Sequence, residues 1–501
     1  MSKADVAENQ KQRVKRGMQH CIVIFGASGD LTSRKLIPAL YELHRKRRLP
    51  DPTRIVGVSR TPFARDAWHA KLAESTAEFM GAGFDREAWD GFAPSLFYQP
   101  GDIERPEDFA KLAGFLGDLE GPGGGPRVYY LATAPQSYEP AIRQLGAAAL
   151  AEESRGPRRI VIEKPFGTDR ATARQLNDAV HSVFAEHQVY RIDHYLGKET
   201  VQNVLVFRFA NAIFEPVWNR NYVEHVEITA AEDLKVGHRG AYYDRSGVLR
   251  DMFQNHLLQQ LTLTAMEAPA RFEADAIRDE KVKVLRAIRP MRPDQVGAAT
   301  IRGQYRGYRS EPGVAVDSQT ATFAAVRVLV DNWRWQGVPF YLRSGKAMSC
   351  PTTQIIIQFR QPPLMLFEGG SGSPHEANRL VIQIQPAEGL QLHFQTKVPD
   401  AGMRVRLTDL SFRFQEKFAG RMPDAYQRLL LDVIGGDASL FARADEVELA
   451  WGIVDPISEA WVDPGVPPLA FYEPGEWGPA ESRDWMVRQG REWFDSCPVL
   501  H

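Results

Sequence analysis

The run Cys21-Ile-Val-Ile-Phe-Gly-Ala-Ser-Gly-Asp-Leu-Thr32 decides the fold. Five apolar residues stop at Gly26, which is how a strand buried on both faces of a parallel sheet reads. Beyond the turn, Leu31 to Leu49 reads as a helix, with Leu36, Leu40 and Leu43 at helical spacing and basic residues in the last turn. Small residues between the two let the backbone turn tightly and let a pyrophosphate approach amides at a helix N-terminus. The spacing is G-x-x-G-x-x-T, not the common G-x-G-x-x-G. Taken alone it also fits a plain strand-to-helix turn.

Working outward, further strands are expected at Arg54-Ile-Val-Gly-Val58, Arg127-Val-Tyr-Tyr-Leu-Ala132 and Arg159-Ile-Val-Ile-Glu163. Strands alternating with helix-like stretches argue for a doubly wound sheet over roughly the first 190 residues. An NAD-preferring fold usually carries a carboxylate at the end of its second strand. Here that place holds Ser59-Arg60, and a guanidinium suits the 2′-phosphate of NADP. Thr32 and Ser59 are candidate extra donors; a merely solvent-exposed Arg60 is the alternative.

The later half reads differently. Strand-like runs at Val223-Glu-His-Val-Glu-Ile-Thr229, Gln354-Ile-Ile-Ile-Gln-Phe359, Leu380-Val-Ile-Gln-Ile384 and Leu390-Gln-Leu-His-Phe-Gln395 have no helix between each pair. A largely antiparallel sheet with helices on one face is expected. Gly121 to Pro126 and Glu368 to Pro374 read as surface loops.

Composition narrows the partners. The 501 residues are 44% hydrophobic and 25% charged, with a formal net charge of −2. That is an ordinary globular balance with no global basic field for nucleic acid. Cys21, Cys350 and Cys497 are too few and too scattered for a disulfide framework or zinc site, so free thiols and no metal are expected. Met1 to Arg16 lacks the apolar centre of a signal peptide, and no stretch nears the roughly 20 apolar residues of a membrane span. A cytoplasmic protein is expected.

Two segments carry chemistry. In Arg191-Ile-Asp-His-Tyr-Leu-Gly-Lys198 a helix is expected to begin near the end, placing His194 and Lys198 on one face. Two cationic donors beside a helix start suit a phosphate dianion, although a solvated charged face reads the same way. The likeness of Gly197-Lys198-Glu-Thr200 to a P-loop fails, because the required earlier glycine is Ile192. In Gly247 to Leu261, Phe253, Leu257 and Leu261 form a core stripe and His256 lies beside it. Asp251 is five residues earlier, about 140° away on an α-helix, so the two are expected to address a ligand and not each other. A neutral imidazole suits alcohol oxidation near pH 7, with a carboxylate on its other nitrogen that spacing cannot name. Lys164 in Glu163-Lys-Pro-Phe-Gly167 and Lys346 in Arg343-Ser-Gly-Lys346 come from sharp turns, where open α/β sheets place ligand groups.

These stretches, with Arg208-Phe-Ala-Asn211, Gln254-Asn-His-Leu-Leu-Gln259, Asn332-Trp-Arg-Trp335, Pro423-Asp-Ala-Tyr426 and Trp451 to Ile457, resemble the glucose-6-phosphate dehydrogenase family over most of the chain. The resemblance implies a Rossmann-type α/β dinucleotide-binding domain, 17–192, then a larger β+α domain, 193–501, whose mostly antiparallel sheet mediates dimerisation. It implies oxidation of glucose 6-phosphate at C1 with NADP, in a homodimer or homotetramer. His256 would be the general base, oriented by Asp193. His194, Tyr195 and Lys198 would hold the phosphate, and Glu232, Asp251 and Lys346 the sugar. Lys164 would bridge substrate and cofactor. Gly26, Ser28, Gly29, Asp30, Leu31, Thr32, Arg60, Asp102 and Ile103 would line the cofactor site. Pro135 falls where a cis proline is expected. Two departures stand out: Pro351, after Cys350, replaces a second basic residue, and Thr133-Ala134 precedes Pro135. The competing readings are a Rossmann oxidoreductase of unphosphorylated sugars, and an inactive NADP-binding sensor.

Overall fold

The structure is a computed structural model that describes residues 19–364, 366–367, 377–417 and 424–497. The polar N-terminus, the loop expected at Glu368 to Pro374 and Pro423 lie outside the described residues. Among the described residues the strands form two sheets.

The first sheet contains β1 (His20–Phe25), β2 (Thr53–Ser59), β3 (Leu96–Pro100), β4 (Arg127–Leu131), β5 (Arg158–Ile162) and β6 (Val189–Ile192). Their order is β3-β2-β1-β4-β5-β6, all parallel, which is the doubly wound arrangement read from the sequence. Every residue of β1 and β4 is buried, because helices cover both faces. The order reverses between β1 and β4, and open parallel sheets bind ligands in the crevice beyond such a point.

The second sheet contains β7 (Val223–Ala231), β8 (Thr300–Tyr305), β9 (Phe323–Leu329), β10 (Pro339–Gly345), β11 (Thr352–Phe359), β12 (Arg379–Gln385), β13 (Gly389–Lys397) and β14 (Val405–Arg413). A two-residue strand, β15 (Phe441–Ala442), crosses back to the first sheet, and β16 (Ala470–Tyr472) joins the second. The second sheet runs β14-β13-β12-β11-β7-β10-β9-β8-β16 and is antiparallel except at β7–β10 and β8–β16. The four strands expected in this half are β7, β11, β12 and β13.

The helical segment Leu249–Leu257 lies against β7 and β10 and runs into Leu258–Ala265, and both are buried almost throughout. One apolar core runs continuously from the first sheet through these helices to the second. A smaller cluster around Tyr305, Tyr341, Trp485 and Trp493 covers the far face of the second sheet. The chain after residue 424 returns to the first half. Helix Ala444–Ala460 docks there, with Trp451 Nε1 donating to Phe166 O at 2.8 Å.

The cysteine expectation is corrected. Cys350 and Cys497 form a disulfide across 147 residues of sequence, and Cys21 alone is a free, buried thiol. Distance in sequence concealed the pairing: the loop after β10 and the C-terminal tail meet only in the folded chain. Among the described residues no helix is long and apolar enough to cross a membrane.

Candidate active site

The residues expected on the cofactor side gather at the C-terminal ends of β1, β2 and β3. Gly26 has φ +86°, and a Cβ there would lie 2.2 Å from Ala132 O, so only glycine lets the turn pass under β4. Gly29 N donates to Gly26 O at 2.9 Å, and the helix opens at Asp30 and Leu31. Ser28, Gly29, Asp30 and Leu31 are exposed or half-buried around a helix start whose first-turn amides lack intrahelical acceptors. Arg60 follows β2, is exposed, and has no ion pair among the described residues. Asp102 and Ile103 follow β3 and line a depression with Phe25, Val58 and Phe109. Asp102 N donates to Asp108 Oδ2 at 3.0 Å, which fixes that corner.

Two expected donors are committed elsewhere. Thr32 is fully buried and its hydroxyl donates to Gly26 O at 3.1 Å, so it closes the turn. Ser59 Oγ pairs with Tyr98 OH at 2.6 Å. The cis proline is also elsewhere. Ala134 is extended ahead of a short 3₁₀ turn that starts at Pro135, whereas Lys164–Pro165 is the cis bond in this region.

Lys164 leaves the end of β5 and reaches the buried centre of the molecule. Its Nζ lies 2.8 Å from His256 Nε2, 3.4 Å from Asp251 O and 3.8 Å from Asp251 Oδ1. Asp251 and His256 thus meet a common third group and do not pair with each other, as the spacing predicts, although the winding of their helix differs from the α-helix assumed. Leu249–Leu257 is a π-helix with i to i+5 hydrogen bonding, whose wider winding brings residues five apart closer to one face than an α-helix does, and both groups turn to the same lysine. The segment starts after Gly247, at φ 63° and ψ 173°, which breaks it from the preceding helix.

The imidazole is held on its other side. His256 Nδ1 is 2.5 Å from Asp193 Oδ1, and that oxygen also accepts from Tyr195 N at 2.9 Å. Both residues are almost completely buried. The carboxylate that spacing could not name is Asp193, held in a turn in which Leu196 N donates to Asp193 O at 3.0 Å. The shared-face expectation for His194 and Lys198 fails because no helix holds them. Residues 194–197 form turns, and helix Glu199–Phe209 begins only after Lys198. They still converge: the His194 ring lies 4.7 Å from that of His256, the Tyr195 ring stacks on His256 at 4.1 Å, and Lys198 Nζ sits 4.0 Å over Tyr195.

Burial sets the charges. It pushes His256 below the ordinary imidazole value, with Lys164 adding to the effect and Asp193 opposing it. His194 is driven well down, by burial and then by His256. Burial lowers Lys198 to about 8. For Asp193 burial pulls upward, but His256 wins and holds the carboxyl low. Asp251 is likewise lowered against its burial by Lys346 and Lys164. Lys346 Nζ pairs with Glu232 and lies 3.2 Å from Asp251 Oδ2. Asp193, His194 and His256 offer ligand atoms within 4.8 Å of one another, although the hydrogen bond between Asp193 and His256 occupies that pair.

The sequence reading missed Gln385 and Thr353. Gln385 Oε1 accepts from Lys198 Nζ, and its Nε2 donates to Thr353 Oγ1 at 3.1 Å and lies 3.5 Å from Tyr195 OH. Glutamines alternating through the apolar strand Leu380-Val-Ile-Gln-Ile-Gln385 were the available signal.

Residues 23–203 match the family described as "Glucose-6-phosphate dehydrogenase, NAD binding domain", and residues 205–494 match its C-terminal domain. A glucose-6-phosphate 1-dehydrogenase of Aggregatibacter actinomycetemcomitans is 44% identical over 485 residues, covering 94% of this chain and 97% of that one. One from Mycolicibacterium smegmatis is 45% identical over 483 residues, covering 94% and 96%. A solved glucose-6-phosphate dehydrogenase in complex with its substrate glucose-6-phosphate superposes with a TM-score of 0.88 at 32% identity, covering 95% of this chain and 99% of that one.

Proposed function

The chain belongs to the glucose-6-phosphate dehydrogenase family, and from that premise we propose that it oxidises C1 of glucose 6-phosphate to the 1,5-lactone with His256 as general base. One observation carries the reading: a buried imidazole bonded to Asp193 through Nδ1, with Nε2 turned toward Lys164, between the two sheets. With its proton on Nδ1, the ring presents a lone pair at Nε2. The C1 hydroxyl takes the place of Lys164 beside Nε2 and gives up its proton there. The C1 hydrogen leaves with its electron pair, and the pair left on oxygen by the broken O–H bond closes the lactone carbonyl. Asp193 stabilises the imidazolium.

A nicotinamide cofactor, when bound, supplies the hydride acceptor. The glycine turn at Gly26 and the helix start at Ser28 to Leu31 fit its pyrophosphate, and Asp102 and Ile103 border its adenosine side. We read NADP as the preferred form, because Arg60 is free to pair with a 2′-phosphate. Lys198, His194 and Tyr195 receive the sugar phosphate. Glu232, Asp251 and Lys346 receive the hydroxyls, and Lys164 joins the two ligands. The division at 192/193, a homodimer or homotetramer and a cytoplasmic location complete the reading.

Initial rates with NADP and NAD, on glucose 6-phosphate and on glucose, test it. The wild type is expected to reduce NADP with the phosphorylated sugar only. His256→Ala is expected to lose roughly 10²–10⁴-fold in kcat while still binding sugar. Arg60→Ala is expected to weaken NADP far more than NAD. Near-intact turnover in His256→Ala removes the assigned base, and equal loss of both cofactors removes the Arg60 argument.

A further inference from the structure

We infer that the C-terminal tail, residues 491–497, is a positioning element for Lys346, gripping the loop that carries this lysine on both sides. The inference rests on Lys346 serving the sugar. Three residues before Lys346, the buried Arg343 reaches Asp495 Oδ1 through Nη1 at 2.8 Å, and its guanidinium lies 4.2 Å from the Trp493 ring. Four residues after Lys346, Cys350 is bonded to Cys497. Next to Asp495 in the tail, Phe494 N donates to Glu227 Oε2 at 3.1 Å and Phe494 O accepts from Gln354 Nε2 at 3.1 Å. The tail therefore crosses β10, β7 and β11, fastened to each.

Within the grip, Glu232 N donates to Gly345 O at 3.0 Å and Met348 N donates to Glu232 O at 2.8 Å. Lys346 and its partner Glu232 thus move as one backbone unit. Beyond Cys350 the chain enters β11, where Thr353 bonds the Gln385 that holds Lys198. The loop so clasped joins the sugar end of the site to its phosphate end. It is also where Pro351 stands and can donate no hydrogen bond. To the loop's own ties, Lys346 N to Thr322 O and Ala347 N to Leu234 O, the tail adds one covalent and one ionic attachment.

Cys497 is exposed, so a dithiol can reach the bond. One reductant thiolate attacks a sulfur and the other cysteine leaves as thiolate. The second reductant thiol then closes the reagent's own disulfide, and the protein gains two electrons and two protons as two thiols. Cys21 stays apart: burial pushes its thiol up to about 12.

The experiment measures KM and kcat for glucose 6-phosphate before and after dithiothreitol, alongside a thiol count on the denatured chain. Wild type, Cys350→Ser, Asp495→Asn and Asp495→Glu are compared. The expected result is one thiol in the air-oxidised protein and three after reduction, with KM rising roughly three- to tenfold and kcat within about twofold. Cys350→Ser is expected to start at the raised KM and ignore reductant, and Asp495→Glu to stay closer to wild type than Asp495→Asn. Three thiols in the air-oxidised protein overturn the inference. So does a KM unmoved while the count rises from one to three. NADPH formation in the same cuvettes reports separately on the proposed reaction.

Discussion

Lys198 shows how burial and function meet in one side chain. Its ammonium rests over the Tyr195 ring and against Gln385, and burial brings it down to about 8. Below that pH it is a cation ready for a phosphate dianion; above it the charge is lost. KM for glucose 6-phosphate is therefore expected to rise as pH passes about 8, and Lys198→Arg, with a guanidinium that does not deprotonate, is expected to remove that rise. His256 sets the other limb. In its proposed role it acts as the unprotonated base, and burial lowers its pKa. The fall in kcat/KM on acidification is thus expected below the ordinary imidazole value of about 6.5. A profile centred at or above that value contradicts the assignment. At this scale spacing was generous with candidates and silent on pairs, and Asp193 was named beside His256 only through the family resemblance. His256 and Asp193 are 63 positions apart, and nothing in their spacing says that one turn and one helix bring them to 2.5 Å.

The decisive element is the π-helix Leu249–Leu257. Its Phe253 and Leu257 face the core as the periodicity predicts, because the apolar stripe dominates packing in either helix type. Asp251 and His256 share a partner and not each other, as expected, but the α-helical angle between them does not apply, because apolar spacing does not distinguish 3.6 residues per turn from the wider winding. The helix depends on Gly247, whose φ 63° and ψ 173° belong to a region that side chains avoid. Gly247→Ala is expected to destabilise the chain by about 1–3 kcal/mol, read as a lower urea midpoint at unchanged slope. No change in midpoint would mean that the break is not needed. Strands were legible where they were long apolar runs, as in β1, β2, β4 and β5. The Arg- and Ser-bearing β10 and the mixed β3 were not, because each is stabilised by its sheet neighbours and not by its own pattern.

Across the whole molecule, the two sheets share one core and are tied by buried charge. Lys281, on helix Ala274–Ala287, meets Glu446, on helix Ala444–Ala460, at 2.7 Å with both side chains essentially inaccessible. A buried pair adds little over an apolar substitute, but breaking it strands a charge. Lys281→Met is expected to cost roughly 3–5 kcal/mol in urea unfolding, and the double change with Glu446→Leu to recover most of it. A mild single-variant loss would show that Glu446 finds other compensation. The division into a parallel half and an antiparallel half followed from the presence or absence of helices between strands. The return of the chain after residue 424 did not, since two residues of β15 leave no pattern to read.

That short strand has a consequence for biosynthesis. Phe441 pairs with Ile192 and completes the edge of the first sheet with residues made about 250 positions later. At 5–20 residues per second, a ribosome leaves the rim of β6 uncapped for roughly 12–50 s. During that interval the nascent chain carries an unpaired strand, the feature most prone to sticking to another chain. Truncation before residue 441 makes that temporary hazard permanent.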